Sequence, residues 1–284
     1  MLEMATSPPG FLRRVYDIPT DSSETIYTGD ERKQGCLLSP DQGRPYVTLT
    51  FAQSLDAKIA GMGGKQLALS GKESMLMTHW MRTLHDGILV GIGTALNDNP
   101  QLNTRHLPPF PAGFSHRYHL PRPIILDTHL SLSVDCKLLT NFKAGVGRRP
   151  WIVASLSSNG SDELRASRRS SLEAAGARIV EVGTSADGRI PIPALLVKLR
   201  GLGMQSLMVE GGARVIQCFL AAEAQHRNCI DTVIVTIAPT IVGKDGVAYG
   251  SNLPSDTLPA MQHVETELFG RDAVVALRIH QRYL

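Results

Sequence analysis

The feature that most constrains this chain is an alternation. Short β-branched apolar segments recur at 46–54, 87–91, 123–126, 151–154, 178–182, 206–209, 232–237 and 273–279, and stretches with helical spacing lie between several of them, at 72–84, 161–175, 192–202 and 213–224. Strands separated by helix-length segments do not pair as tight hairpins. Each returns over the sheet through a right-handed crossover, which gives a mainly parallel sheet with helices on its faces. The last two strands, 232–237 and 273–279, follow one another with no convincing helix between them, so an antiparallel edge or hairpin is predicted to close the sheet. The expected fold class is α/β, a mixed sheet flanked by helices.

The regular pattern begins near Tyr46. Residues 1–44 are polar, carry Pro8, Pro9, Pro19 and Pro40, and show no sustained periodicity, which predicts a loosely ordered extension before one domain over 45–284. The long segment 106–121 holds four prolines together with His106, His116 and His119. No carboxylate or cysteine stands at ligand spacing beside those histidines, so a solvated insertion is favoured over a zinc site and no metal is expected.

Composition narrows the partners. With 43% hydrophobic and 19% charged residues the chain falls in the ordinary globular range. A net charge of only +3, from scattered Lys and Arg, offers no basic stripe for a nucleic-acid backbone and suits a small anionic ligand better. The cysteines, Cys36, Cys136, Cys218 and Cys229, make no C-x-x-C pair and read as reduced thiols. No basic segment followed by an apolar run opens the sequence, and no run approaches the ~18 apolar residues of a membrane span, so no membrane association and a cytoplasmic location are expected.

Three segments carry chemistry. In the first, Leu207 to Ile216, a strand passes through Glu210, Gly211 and Gly212 into an amphipathic helix whose buried face is Val215, Ile216, Phe219 and Leu220. Glycines there admit a close ligand, and the freed amides of the helix start point at negative charge. The same residues also suit a tight turn with no ligand. Glu210, at the carboxyl end of a central strand, would repel a phosphate and fits a donor-rich substrate, or else caps the following helix.

The second segment runs from Gly87 to Pro100. Gly91 and Gly93 resemble half of a dinucleotide fingerprint, but Leu96 stands where a third glycine would be, so that reading is declined. It leaves the Thr94 hydroxyl and the Asp98 carboxylate, followed by Leu102 and Arg105, with turn chemistry as the plain alternative for 97–100. The third is Thr50 to Ala60, where Ser54, Asp56 and Lys58 share one face if the segment stays extended, or form a surface hairpin if it turns at Ser54. G-x-S-x-G, H-E-x-x-H and a P-loop are all absent, so hydrolase chemistry has no motif here.

In order along the chain, T-L-T-F-A-Q-S-L-D-A-K-I-A, G-I-L-V-G-I-G-T-A-L-N-D-N-P-Q-L-N-T-R, P-R-P-I-I-L-D, M-V-E-G-G-A-R-V-I and T-I-A-P-T-I-V-G-K-D-G resemble the reductase family of the riboflavin pathway from about Arg44 onward. That resemblance implies a dihydrofolate-reductase-like fold, NADPH as hydride donor, a ribosylaminopyrimidine phosphate as substrate and a homodimer. By motif position it implies that Thr94 and Asp98 contact NADPH, that Gly211, Gly212, Ala213, Arg214 and Val215 bind its pyrophosphate, and that Val182 lines the nucleotide site. Arg82, Leu102, Arg105 and Glu210 match the family's substrate positions, and guanidinium forks at Arg82 and Arg105 suit a 5′-phosphate. Asp56 or Glu210 would assist ring opening or protonation, unless a bound water does so.

The H-x-E and P-C-x-x-C zinc signature of the related bacterial deaminase half is missing, so reduction alone is expected. Two alternatives stay open: a dihydrofolate or pteridine reductase of the same fold, and a silent nucleotide-binding module. No residue pattern proves a site for the 2′-phosphate of NADPH; the Arg165, Arg168 and Arg169 cluster could serve, but reads more simply as a solvated helix face.

Overall fold

The computed structural model describes residues 7–18, 43–109, 118–156, 163–250, 253 and 260–279. Its helices are α1 (Gly10–Val15), α2 (Lys72–Leu84), α3 (Ile92–Asp98), α4 (Lys137–Lys143), α5 (Glu163–Ala174), α6 (Ile192–Gly201) and α7 (Ala213–His226). Its strands are β1 (Tyr46–Gln53), β2 (Lys58–Ala60), β3 (Gly87–Gly91), β4 (Arg122–Leu126), β5 (Trp151–Ser155), β6 (Arg178–Val182), β7 (Ser206–Gly211), β8 (Thr232–Ile237), β9 (Val247–Ala248), β10 (Met261–Phe269) and β11 (Asp272–Ile279).

Nine strands form one sheet in the order β10-β11-β8-β1-β7-β3-β4-β5-β6, and β2 and β9 make a separate small ribbon. From β8 to β6 every neighbouring pair is parallel, whereas β11 runs antiparallel to β8 and β10 antiparallel to β11. The mixed sheet with an antiparallel C-terminal edge is therefore present, with one strand more at that edge than expected. The chain moves outward from β3 to β6, then returns to insert β7 between β1 and β3. That reversal opens a crevice at the carboxyl ends of β3, β7 and β1, where open α/β sheets bind ligands.

Strand alternation divides the core. Val47, Leu49, Leu89, Leu207, Val209 and Val233 point to the face covered by α6 and α7. Met208, Ile234, Val274 and Ala276 point to the face covered by α1 and α2, while Ile88, Val90, Ile125 and Ile152 meet the α4 and α5 side. Helix α2 shows why such segments are helical: Met77, Trp80, Met81 and Leu84 recur at intervals of three and four and are all buried. Its first turn is held from outside, since Asp272 of β11 accepts from the Gly71 amide at 2.6 Å and from the Ser74 hydroxyl.

Several expectations change. Within the stretch read as a loose extension, Phe11, Leu12, Val15 and Tyr16 are fully buried, and α1 lies against β10. Tyr16 also hydrogen-bonds Thr48 at 3.1 Å, and His85 bonds the same hydroxyl at 2.9 Å. A six-residue helix is too short to show periodicity, so its tertiary contacts are what make it ordered. Residues 1–6 and 19–42 lie outside the described residues. The 106–121 segment is anchored where it is described, by Tyr118 on Pro108 O at 2.8 Å and edge-on against Trp80; His116 lies outside the described residues. Strand β10 escapes the sequence pattern because this edge strand is exposed along much of its length, mixes polar and apolar residues on each face and breaks register between His263 and Glu265.

Candidate active site

The five motif segments end up at the same edge. They form β1 and its following turn, the β3–α3 unit with the 99–105 loop, β4, the β7–α7 turn, and the segment after β8.

At the centre, β7 passes into α7 through two glycines with left-handed backbone, Gly211 at φ +91° and Gly212 at φ +70°. A Cβ on Gly212 would stand 2.6 Å from Thr94 Oγ1, and one on Gly211 would strike the Ile216 side chain at 2.9 Å. Only glycine lets this backbone lie so close to α3 and α7. A Cβ on Gly91, at the start of α3, would likewise stand 2.8 Å from Val215, so the two helix starts touch across the crevice. No side chain caps α7, and its first amides, at Ala213 and Arg214, have no carbonyl a turn earlier to bond. Both helix starts thus present N–H groups to one crevice, and these residues fit the pyrophosphate of a dinucleotide.

Thr94 Oγ1 is 3.5 Å from Gly211 O, the long limit of a hydrogen bond, so the hydroxyl is loosely held. Asp98 closes α3, and burial raises its carboxyl above the usual range. Arg214 is exposed in the first turn of α7, beside Ala213, and Val215 is buried beneath. Val182 does not join this cluster. It is buried at the end of β6, with β3, β4 and β5 between it and β7, about 19 Å away at ordinary strand spacing. A contact there requires a ligand extended along the carboxyl edge.

On the other side of the turn stands an ion pair. Arg82 of α2 grips Glu210 of β7 with both prongs, Nε to Oε1 and Nη2 to Oε2, each at 2.8 Å. Its remaining nitrogen donates to Asn103 O at 3.1 Å. The side chains are only 12% and 17% exposed, so the pair is largely shielded from water. The Arg82 fork, expected to be available for a phosphate, is thus occupied by Glu210. Arg105 differs: its backbone N–H donates to His79 Nδ1 at 2.9 Å, and no hydrogen-bond or ion-pair partner of its guanidinium is found among the described residues. Burial and neighbouring Arg82 pull the Arg105 pKa down, with Glu210 opposing them, so the guanidinium sits among the pair's charges. Leu102 is buried with a left-handed backbone at φ +46° and shapes the loop that carries Arg105.

Asp56 does not face this cluster as a free acid. The chain turns at Ser54, with Ala57 at φ +56°, so the hairpin alternative holds and the shared-face alternative does not. The Asp56 carboxylate accepts from Ser54 Oγ at 2.5 Å, Val242 N at 3.0 Å and Gly243 N at 2.8 Å. Those bonds, the Ser54 hydroxyl foremost, lower its pKa to about 2. It is ionised at neutral pH, fastens the segment after β8, and has no proton to give.

His79 and Asn103 escaped the sequence reading, although both belong to the site. The one available signal was that His79 lies three residues before Arg82, on the same side of α2.

A family model described as the RibD C-terminal domain matches residues 45–275. The chain belongs to this family. It is 38% identical over 222 residues to the 2,5-diamino-6-ribosylamino-4(3H)-pyrimidinone 5′-phosphate reductase of Debaryomyces hansenii, covering 74% of this chain and 81% of that protein. To the Saccharomyces cerevisiae protein of the same name it is 35% identical over 203 residues, covering 71% and 75%. The solved structure of the Saccharomyces cerevisiae riboflavin biosynthesis reductase Rib7 covers 85% of this chain and 93% of its own, at 26% identity and a TM-score of 0.62. A pyrimidine reductase-like protein of Corynebacterium diphtheriae aligns at a TM-score of 0.65 and 16% identity, covering 84% and 92%, and speaks for the fold alone. The dihydrofolate-reductase-like fold that the motifs implied is the fold of this RibD C-terminal domain. Helix α1 precedes the matched region.

Proposed function

We propose that this chain reduces the ribosylamino side chain of 2,5-diamino-6-ribosylamino-4(3H)-pyrimidinone 5′-phosphate to the ribitylamino form in riboflavin biosynthesis, with NADPH as the reductant. The observation that carries this is the two-sided crevice: uncapped helix starts around Gly212 on one side, and the Glu210–Arg82 pair with Arg105 on the other. The named fungal relatives supply the substrate's identity.

In the substrate, ring opening moves a proton from the glycosidic nitrogen to the ring oxygen and leaves a C1′=N imine. When bound, a nicotinamide cofactor would supply the hydride that C1′ takes up; with the nitrogen regaining a proton, one cofactor and one proton would be consumed per product. The chain's residues arrange this step. The Ala213 and Arg214 amides and the Thr94 hydroxyl would hold the pyrophosphate, Asp98 would lie beside it, and Val182 would meet the dinucleotide only where it extends along the carboxyl edge. Glu210 keeps lone pairs beyond its bonds to Arg82, and these accept amino N–H groups of the pyrimidine. Arg105 receives the 5′-phosphate, for which a guanidinium fork is shaped. Leu102 packs beneath this loop and excludes water from the imine. Glu210 would steer the nitrogen's proton; Asp56, ionised and accepting three hydrogen bonds, serves the loop instead.

The preference for NADPH over NADH and a homodimeric assembly rest on the family resemblance; a cytoplasmic location is the expectation for a biosynthetic enzyme whose sequence carries no apolar run of ~18 residues. Among the described residues no helix is long and apolar enough to cross a membrane. The test incubates the protein with the ribosylaminopyrimidine phosphate and NADPH, NADH or neither, and weighs the product. A gain of two hydrogens with NADPH is expected, with NADH slower. Reduction of dihydrofolate instead would move the chain to the pteridine reductases, and cofactor binding without turnover would make it a silent module. Light scattering reads the dimer.

A further inference from the structure

We propose that His79 is a positioning residue: through the backbone of Arg105 it holds the 102–106 loop so that the Arg105 guanidinium meets the substrate's phosphate. This rests on the assignment of the phosphate to Arg105.

His79 sits in the middle of α2 and is only 2% exposed. Nδ1 lies 2.9 Å from the Arg105 nitrogen, and a backbone N–H can only donate. Nδ1 is therefore unprotonated, and the ring proton of the neutral imidazole is on Nε2. Burial above all, with Arg82, His106 and Arg105 beside the ring, lowers its pKa to about 3. The ring of His106 stands edge-on at 5.0 Å. The acceptor thus persists throughout the neutral range.

The loop needs such a fastening. Leu102 at φ +46° and His106 at φ +59° are in the left-handed region, each at a cost on the order of 1 kcal/mol for a residue with a Cβ. Three bonds offset that cost: Arg82 Nη1 to Asn103 O at 3.1 Å, Thr104 Oγ1 to His119 O at 3.0 Å, and Arg105 N to His79. Two of the three come from α2, one turn apart. The third fixes the residue whose guanidinium has no partner among the described residues, and a charged fork on a fixed backbone loses less entropy on binding an anion.

The test replaces His79 with Asn, Gln and Phe and measures KM for the phosphorylated substrate and for NADPH separately. Asn can place its oxygen near the Nδ1 position, Gln reaches instead to the Nε2 position, and Phe offers no acceptor. His79→Asn should keep the wild-type substrate KM, whereas His79→Gln and His79→Phe should raise it about tenfold, the scale of one lost hydrogen bond, with kcat and the NADPH KM within about twofold. In an Arg105→Ala background the same changes should add no further rise. A wild-type substrate KM in His79→Gln, equal rises in both KM values, or an undiminished rise in the Arg105→Ala background would overturn the proposal. If His79→Phe does not fold, the Asn–Gln contrast decides. Wild-type protein that does not turn over the substrate would count against the proposed function, a separate outcome.

Discussion

Replacing Arg82 with alanine removes two charge-assisted bonds to Glu210, each at 2.8 Å, and one to Asn103 O at 3.1 Å. It leaves a carboxylate that is only 17% exposed without its partner. Breaking a fully buried pair in this way costs about 3–5 kcal/mol; water can reach part of this one, so about 2–3 kcal/mol is expected. For a chain of this size that corresponds to a fall in Tm of roughly 4–12 °C. The double variant Arg82→Ala, Glu210→Ala lacks the orphaned charge and should be more stable than the sum of the single changes by about 1–2 kcal/mol. Urea unfolding of the four proteins measures this directly. On activity, Arg82→Ala lets Glu210 turn away from the substrate, and a loss of about 2 kcal/mol lowers kcat/KM roughly 30-fold. Additive single changes, or an Arg82→Ala protein within about 0.5 kcal/mol of wild type, would refute the view that this pair holds the substrate side of the crevice.

Two further outcomes follow from geometry. Gly212→Ala places a Cβ 2.6 Å from Thr94 Oγ1 at φ +70° and should weaken NADPH binding at least about tenfold in a fluorescence titration; unchanged affinity would remove the pyrophosphate from this turn. Asp56 has its pKa lowered from 3.8 to about 2, so its contribution to stability is present above about pH 4 and is lost as pH falls toward about 2. The Tm gap between wild type and Asp56→Asn should therefore close across that window. A gap independent of pH would show that the bonds to Val242 and Gly243 do not depend on the charge.

The sequence made the scaffold legible where local pattern and burial agree. Met77, Trp80, Met81 and Leu84 mark α2, and Gly211 with Gly212 marks the turn at the head of α7. What it hid were contacts between distant segments. Arg82 and Glu210 are 128 residues apart, and nothing in their spacing says that one occupies the other's fork. The period-2 pattern at Ser54, Asp56 and Lys58 was equally compatible with a strand and a turn, and only the amides of Val242 and Gly243 explain why the chain turns. Helix α1 and strand β10 lacked a readable period because one is a single short helix ordered by tertiary packing and the other an edge strand whose alternation is broken between His263 and Glu265.

In the proposed reaction, cofactor at the Gly212 turn and substrate at Glu210 and Arg105 face each other closely enough for direct hydride transfer. The measurement that tests it uses NADPH carrying deuterium at the transferable C4 position and locates the label in the ribitylamino product by NMR and mass spectrometry. One deuterium at C1′ of each product molecule is the predicted result. Product reduced without deuterium from either face of the labelled cofactor would contradict it.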